Sequence, residues 1–151
     1  MDSRDEEIYR KHADELIRFA TTLVGAGSAE DVFSGAILKA MSSHSWPSVT
    51  EHRAYLFRAV LNEALGTKRS DRRRSLRETT AAPHECVETA QVSVEVADAM
   101  SRLSVRQRSV LYLAYWFDLT VEEIAGTLML SRRSTERALT SARTQLEEQL
   151  R

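Results

Sequence analysis

Arg133 and Arg137 lie four residues apart in the stretch that starts at Ser131 and runs SRRSTERALTSARTQL. On a helix that spacing is one turn, so two guanidinium groups share a face and can enter a DNA major groove together, each able to grip a guanine bidentately. Arg132, Glu136 and Ser141 complete the polar surface of the same stretch. Glu136 is four residues from Arg132 and can either pair with it or accept from a cytosine amino group. A second basic group sits mid-chain, where Lys68, Arg69, Arg72, Arg73, Arg74 and Arg77 face a single acid, Asp71. Cations at a helix C-terminus offset the negative end of its dipole, but that accounts for two or three of them rather than six. The surplus suits phosphates or, failing that, a solvated linker. Catalytic chemistry has no comparable signal. His12, His44, His52 and His84 stand on separate elements without a nucleophile or ligand beside them, and no glycine-rich phosphate loop occurs. His12 falls on an apolar helix face, where it reads as a core residue.

The elements that must carry the two arginines are legible around them. Thr120, with Glu123 three residues on, is a capping box opening a short helix that turns Ile124, Ala125 and Leu128 inward. Met129 and Leu130 leave room only for a tight corner before Ser131, which caps a helix continuing to Leu150. Two helices at such a corner make a helix-turn-helix. On the second, Thr135, Leu139, Ala142, Leu146 and Leu150 form the inward stripe, leaving Arg133, Arg137, Thr140, Ser141 and Thr144 outside. Ahead of this pair, Ser104 with Gln107 caps a helix carrying Val110, Leu111, Leu113, Ala114 and Phe117. Tyr112, Tyr115, Trp116 and Phe117 could stack on bases, but their helical spacing favours packing beneath the helix-turn-helix.

Earlier in the chain, Ile8, His12, Leu16, Phe19 and Leu23 define an amphipathic helix from Arg4 to Val24. Gly25, Ala26 and Gly27 end it, and Ser28 with Asp31 is the expected cap of a second helix that buries Val32, Phe33, Ala36, Ile37, Ala40 and Met41. Residues 42–48, with Trp46 and Pro47, read as a loop. A third helix from about Thr50 to the arginine cluster buries Leu56, Phe57, Val60, Leu61, Ala64 and Leu65. The stretch from Ser75 to Ser93, rich in Thr, Ala and Glu and carrying Pro83, reads as a linker. The expected fold is therefore all-α: two small helical domains, 1–74 and 94–151, joined by the short linker 75–93, with a helix-turn-helix in the second.

Two sets of residues resemble the extracytoplasmic-function class of bacterial sigma factors. Leu103, Arg108, Val110, Leu111, Leu113, Leu119, Glu123, Ile124, Ala125, Leu128, Ser131, Leu139, Ala142, Arg143 and Leu146 match the pattern of that family's region four. Ala29, Glu30, Asp31, Val32 and Leu38 match the first motif of its region two, and Tyr55, Leu56, Phe57, Arg58 and Asn62 the second. The resemblance implies that Glu30, Asp31, Ser34 and Leu38 dock on the polymerase β′ clamp. It implies that Asn62, Arg69, Arg72, Arg73 and Arg74 help open and hold the minus-ten promoter element, and that the C-terminal domain meets the β flap and the minus-thirty-five element. It also implies core RNA polymerase and promoter DNA as partners, an anti-sigma factor as regulator, and no cofactor. Some residues depart from the family pattern. Arg133, Thr135, Glu136, Ala138 and Ser141 stand where the family has Gly, Val, Lys, Arg and Arg, and Met129 replaces the turn glycine. Ser34 and Gly35 stand for Gln and an acid, Tyr55 for Trp, and Gly66 where an acid is common. These departures leave two other readings open: a sigma-like interaction protein that has lost polymerase or promoter contacts, and a plain helix-turn-helix regulator.

Composition agrees with such a protein. With 42% hydrophobic and 28% charged residues the 151-residue chain can build a core, and only two prolines and five glycines interrupt it. A net charge of −1 means that any nucleic-acid surface must arise from local segregation of charge. A single cysteine, Cys86, cannot form an internal disulfide, which suits a reducing cytoplasm. No apolar run approaches a membrane span, so the expectation is a cytoplasmic protein without membrane insertion.

Overall fold

The computed structural model describes residues 2–77 and 94–151, with side chains for 2–67 and 94–151. Every regular element among them is helical: α1 (Ser3–Val24), α2 (Ala26–Ser42), a 3-10 turn (Trp46–Ser48), α3 (His52–Arg77), α4 (Val94–Ser101), α5 (Val105–Trp116), α6 (Val121–Leu128) and α7 (Arg132–Gln149). Asp2 caps α1 by accepting from the Asp5 N–H, and the helix buries His12, Leu16, Phe19 and Leu23 as the apolar spacing requires. His12 is nearly buried and its Nδ1 lies 2.9 Å from Glu15 Oε1.

The corner after α1 is tighter than expected. Gly25 alone ends α1 and starts α2, at φ 86°, with its N–H donating to the Thr21 carbonyl. Only glycine takes that backbone conformation without a steric penalty, so one residue does what three were expected to do. Ser28 and Asp31 consequently lie inside α2 and do not cap it. Trp46 likewise departs from a loop residue's usual exposure. It is buried, its ring lies 5.2 Å from His52 and 5.7 Å from Tyr55, and its Nε1 donates to Asp5 Oδ1 at 2.9 Å. The α2–α3 connection is thereby pinned to the N-terminus of α1. Helix α3 runs to Arg77, three residues past the expected domain boundary; the rest of the expected linker, 78–93, lies outside the described residues.

In the C-terminal half the capping residues behave as read. Ser104 and Gln107 form a complete capping box on α5, as do Thr120 and Glu123 on α6, and Ser131 accepts from the Ser134 N–H at the start of α7. Met129 makes the corner between α6 and α7 in the left-handed region, at φ 56° and ψ 42°.

The two helical halves are docked on each other. Phe19 of α1 meets Tyr112 of α5 with ring centroids 5.3 Å apart, and Phe57 of α3 meets Phe117 edge-on at 5.4 Å. The Arg53 guanidinium lies 4.2 Å from the Phe117 ring centroid while its Nε pairs with Glu15 at 3.2 Å. Each aromatic pair contributes about 0.5–1.5 kcal/mol beyond the area it buries. Against this stands Arg108, at 4% exposure, whose Nη1 donates a long 3.4 Å bond to the Thr22 carbonyl in the last turn of α1 and whose Nε has no partner among the described residues. That carbonyl belongs to the group a helix end leaves unpaired, so the guanidinium caps α1 from the other half. Burial lowers the Arg108 pKa from 12.5 to about 10, so the group remains charged at neutral pH. A buried charge with one weak bond opposes the docking, while the apolar core that runs continuously through both halves favours it.

Candidate nucleic-acid interface

Helix α7 presents its N-terminal half to solvent because Thr135, Leu139 and Ala142 bury the opposite side against α5 and α6. Thr135 is also held locally, its hydroxyl donating to the Ser131 carbonyl at 2.9 Å. The five polar residues read from sequence then divide into three groups. Arg133 and Arg137 are exposed and have no hydrogen bond or ion pair among the described residues. Arg132 is already engaged: its Nη2 lies 3.0 Å from Glu122 on α6 and its Nε 3.2 Å from Glu136, one turn along α7. Glu136 is thus in the pairing geometry rather than free to accept from a base. Ser141, although exposed, accepts from Gln107 Nε2 at 2.9 Å and from Gln145 Nε2 at 3.3 Å, tying α7 to the first turn of α5. Two cations are left free to meet nucleic acid, and Arg132 acts as a clasp across the corner.

The aromatic run is divided in the same way. Tyr112 is buried at the junction of the halves, where desolvation raises its phenol pKa to about 12. Tyr115 and Trp116 are 65% and 51% exposed. Tyr115 is partnered by Arg143, whose Nε donates to its hydroxyl at 2.9 Å with the guanidinium 5.5 Å from the ring centroid.

In the N-terminal half, Asn62 is exposed at the rim of a cavity of about 400 Å³ between α2 and α3. Lys39, Ser43, Tyr55, Arg58 and Glu63 also line it. Lys39 Nζ pairs with Glu63 Oε2 at 2.7 Å, and the Arg58 guanidinium lies 5.6 Å from the Tyr55 ring centroid. The hydroxyls of Ser43 and then Ser45 lower the Tyr55 phenol pKa, the latter from 3.3 Å. A Cβ at Gly35 would stand 2.8 Å from Glu63 Oε1, so the glutamate side chain would have to shift to admit one. Arg58 could have been added to the site from sequence alone, being one turn before Asn62 on the same helix face. Lys39 could not, because nothing in a single sequence aligns α2 against α3. Arg69, Arg72, Arg73 and Arg74 fall on the last turns of α3, and their side chains lie outside the described residues.

A third surface lies on α2. Glu30, Asp31, Ser34 and Leu38 are all exposed along one face, with Leu38 at 69%. Leu38 is the open apolar side chain of that face, about two turns along the helix from Glu30 and Asp31, whose carboxylates have no ion pair among the described residues. Among the described residues no group of His, Cys, Asp or Glu could hold a metal ion, and no helix is long and apolar enough to cross a membrane.

Comparison with known proteins bears on these surfaces. Residues 93–146 match the family model for Sigma-70, region 4. The RNA polymerase sigma-E factor of Streptomyces antibioticus is 31% identical over 158 aligned positions, which cover 96% of this chain and 83% of that protein. The ECF RNA polymerase sigma factor SigL of Mycobacterium tuberculosis is 29% identical, with 87% and 80% covered. Among solved structures, the sigma factor RpoE of Bartonella quintana, co-crystallised with the anti-sigma factor NepR, shares the fold at a TM-score of 0.79. That match covers 96% of this chain and 95% of that one, at 21% identity.

Proposed function

The chain belongs to the extracytoplasmic-function family of RNA polymerase sigma factors, and from that membership we propose how its surfaces divide the work of starting transcription. It binds core RNA polymerase and directs it to promoter DNA; bond making is left to the polymerase, and the protein acts where that enzyme does, in the cytoplasm. Helix α7 reads the minus-thirty-five element through Arg133 and Arg137. Asn62 and the basic end of α3, with Arg69, Arg72, Arg73 and Arg74, take the minus-ten element. The face formed by Glu30, Asp31, Ser34 and Leu38 docks on the β′ clamp, and the C-terminal half on the β flap. Residues 1–74 and 94–151 are the two domains that carry these tasks, and an anti-sigma factor is the regulator expected of such a protein.

The observation that carries this division is the state of the three arginines at the start of α7. Arg132 is neutralised by Glu122 and Glu136, whereas Arg133 and Arg137 project from the second helix of a helix-turn-helix with no ion pair among the described residues. Transcription in vitro with purified core polymerase on fragmented genomic DNA tests it. The protein should co-elute with core enzyme at micromolar concentration and produce discrete start sites, and the Arg133→Ala, Arg137→Ala double variant should co-elute equally well yet lose those starts. Failure of the wild-type protein to co-elute would leave the chain a sigma-like interaction protein instead.

A further inference from the structure

The cavity beside Asn62 takes its lining from α2, from α3 and from Ser43, where the α2–α3 connection begins; among the described residues none of α1 lines it. Backbone bonds within the connection are short in reach: the Trp46 N–H donates to the Ser43 carbonyl, Ser48 to Ser45, and Val49 to Trp46. Such bonds give a turn its shape but leave its place on the molecule open. Its place is set by residues far off in the sequence. Asp5 Oδ1 accepts from Trp46 Nε1 at 2.9 Å, and Arg4 Nη2 lies 3.1 Å from His52 Nε2 and 3.5 Å from the Val49 carbonyl oxygen. The buried Trp46 ring is 5.7 Å from that of Tyr55, whose hydroxyl is 3.3 Å from Ser45 Oγ and whose ring has the Arg58 guanidinium at 5.6 Å. Arg58 stands one turn before Asn62 on α3. A carboxylate at the start of α1 thus reaches the rim of the cavity through two aromatic rings.

We infer that Asp5 is a positioning residue for minus-ten discrimination: by holding Trp46 it fixes where Tyr55 and Arg58 stand beside Asn62. The inference rests on the assignment of Asn62 to the minus-ten element proposed above, and extends that site to a helix that does not line it. The physical reason lies in the indole. Its N–H can only donate, and Trp46 is 4% exposed, so the carboxylate satisfies a buried donor with a charge-assisted bond. Without that acceptor, the N–H regains a partner when the ring turns toward water. Tyr55 then loses the ring packed on it, and the Ser43 and Ser45 hydroxyls beside it lose their fixed place.

Two measurements test this, one on the free protein and one with polymerase. Trp116→Phe leaves Trp46 as the sole tryptophan, so acrylamide quenching of its fluorescence reports whether the ring stays buried. In that background Asp5→Leu should raise the population open to quencher by about tenfold or more, the equilibrium worth of a hydrogen bond to a charged acceptor. Asp5→Asn removes the same charge from the first turn of α1 but keeps an acceptor, and should quench as the parent does. With core polymerase, transcript yield is compared on a promoter and on its counterpart with only the minus-ten element substituted. Asp5→Leu should lower the ratio of the two yields by about threefold, half of that equilibrium change on a logarithmic scale, while co-eluting with core enzyme as the wild type does. Asp5→Asn should restore the ratio. Should Asp5→Leu fail to fold, Trp46→Phe, which keeps an aromatic ring and removes the donor, should lower the ratio in the same way. Trp46 equally shielded in Asp5→Leu, an unchanged ratio in the folded variant, or Asp5→Asn as defective as Asp5→Leu would each overturn the inference. The quenching result needs no polymerase, so a wild-type protein that gives no starts would be seen separately and would count against the proposed function.

Discussion

Replacing Arg133 with alanine separates the reading role of α7 from its structural role, and the neighbouring Arg132 supplies the contrast. Arg133 is exposed and without an ionic partner among the described residues, so its removal should change stability by no more than about 0.5 kcal/mol. A bidentate contact to guanine is worth about 1–3 kcal/mol, which means a roughly five- to 150-fold weaker affinity for the preferred site. A scrambled duplex should lose far less. Arg132→Ala should behave in the opposite way. It deletes two exposed ion pairs, to Glu122 at 3.0 Å and Glu136 at 3.2 Å, each worth about 0.2–1 kcal/mol, and should lower the melting temperature by a few degrees. It also leaves two carboxylates uncompensated beside the DNA, so affinity should fall on both duplexes alike and the deficit should shrink as salt is added. Fluorescence anisotropy on a duplex selected from a randomised pool and on its scrambled counterpart, at two salt concentrations, measures these losses for both variants. Equal losses for Arg133→Ala on both duplexes would make it a phosphate contact, and no loss on either would remove α7 as the reader. A site-specific loss confined to Arg132→Ala would show that the ion pairs dissolve on binding and that the free arginines are bystanders.

Asp31→Lys should leave the circular dichroism and melting temperature unchanged, because Asp31 is exposed and has no ion pair among the described residues, yet weaken assembly with core polymerase about two- to thirtyfold in a pull-down titration. Unchanged assembly would move the docking face off α2. Met129→Gly should stabilise the protein by about 0.5–1 kcal/mol: relief of left-handed strain, about 1–2 kcal/mol, exceeds the extra chain entropy of glycine, about 0.5–1 kcal/mol, and the 72% exposed side chain packs on little. A lower melting temperature in calorimetry would show that the methionine is held by contacts worth more than the strain. Between about pH 10 and pH 12 two groups at the junction act in opposite senses. Arg108, its pKa lowered to about 10 by burial, sheds its buried charge first in the folded state, so stability rises with pH; Tyr112, raised to about 12, keeps its proton only when folded, so stability falls. Urea unfolding across that window should therefore be nearly flat for the wild type, rise with pH for Tyr112→Phe, and fall for Arg108→Met. A flat profile in either variant would mean that its remaining group is not desolvated.

Much of the local structure was written in short-range signals. Ser104 with Gln107, Thr120 with Glu123, and Ser131 announce helix starts because a cap bonds to backbone only two or three residues away, and no distant partner is needed. The apolar steps of α1 and the outward position of Arg133 and Arg137 follow equally from a fixed rotation per residue. Glu136 pairing with Arg132 was one of two options the spacing allowed, and it is the one present. Where a fact depends on which helix lies beside which, the chain alone was silent. The second partner of Arg132, Glu122, is on α6; Ser141 is occupied by Gln107 on α5; and Lys39 of α2 meets Glu63 of α3, whose carboxylate also lies beside Gly35. Gly25 making the first corner unaided depended on a backbone angle available to any glycine and demanded by none. The docking of the halves is the furthest from view, because Phe19 and Tyr112, or Thr22 and Arg108, are joined across most of the chain by packing that no periodicity encodes. Local hydrogen bonds and helical period are properties of a segment, whereas the burial of Arg108 and the closing of the two halves are properties of surfaces that exist only after the segments have formed.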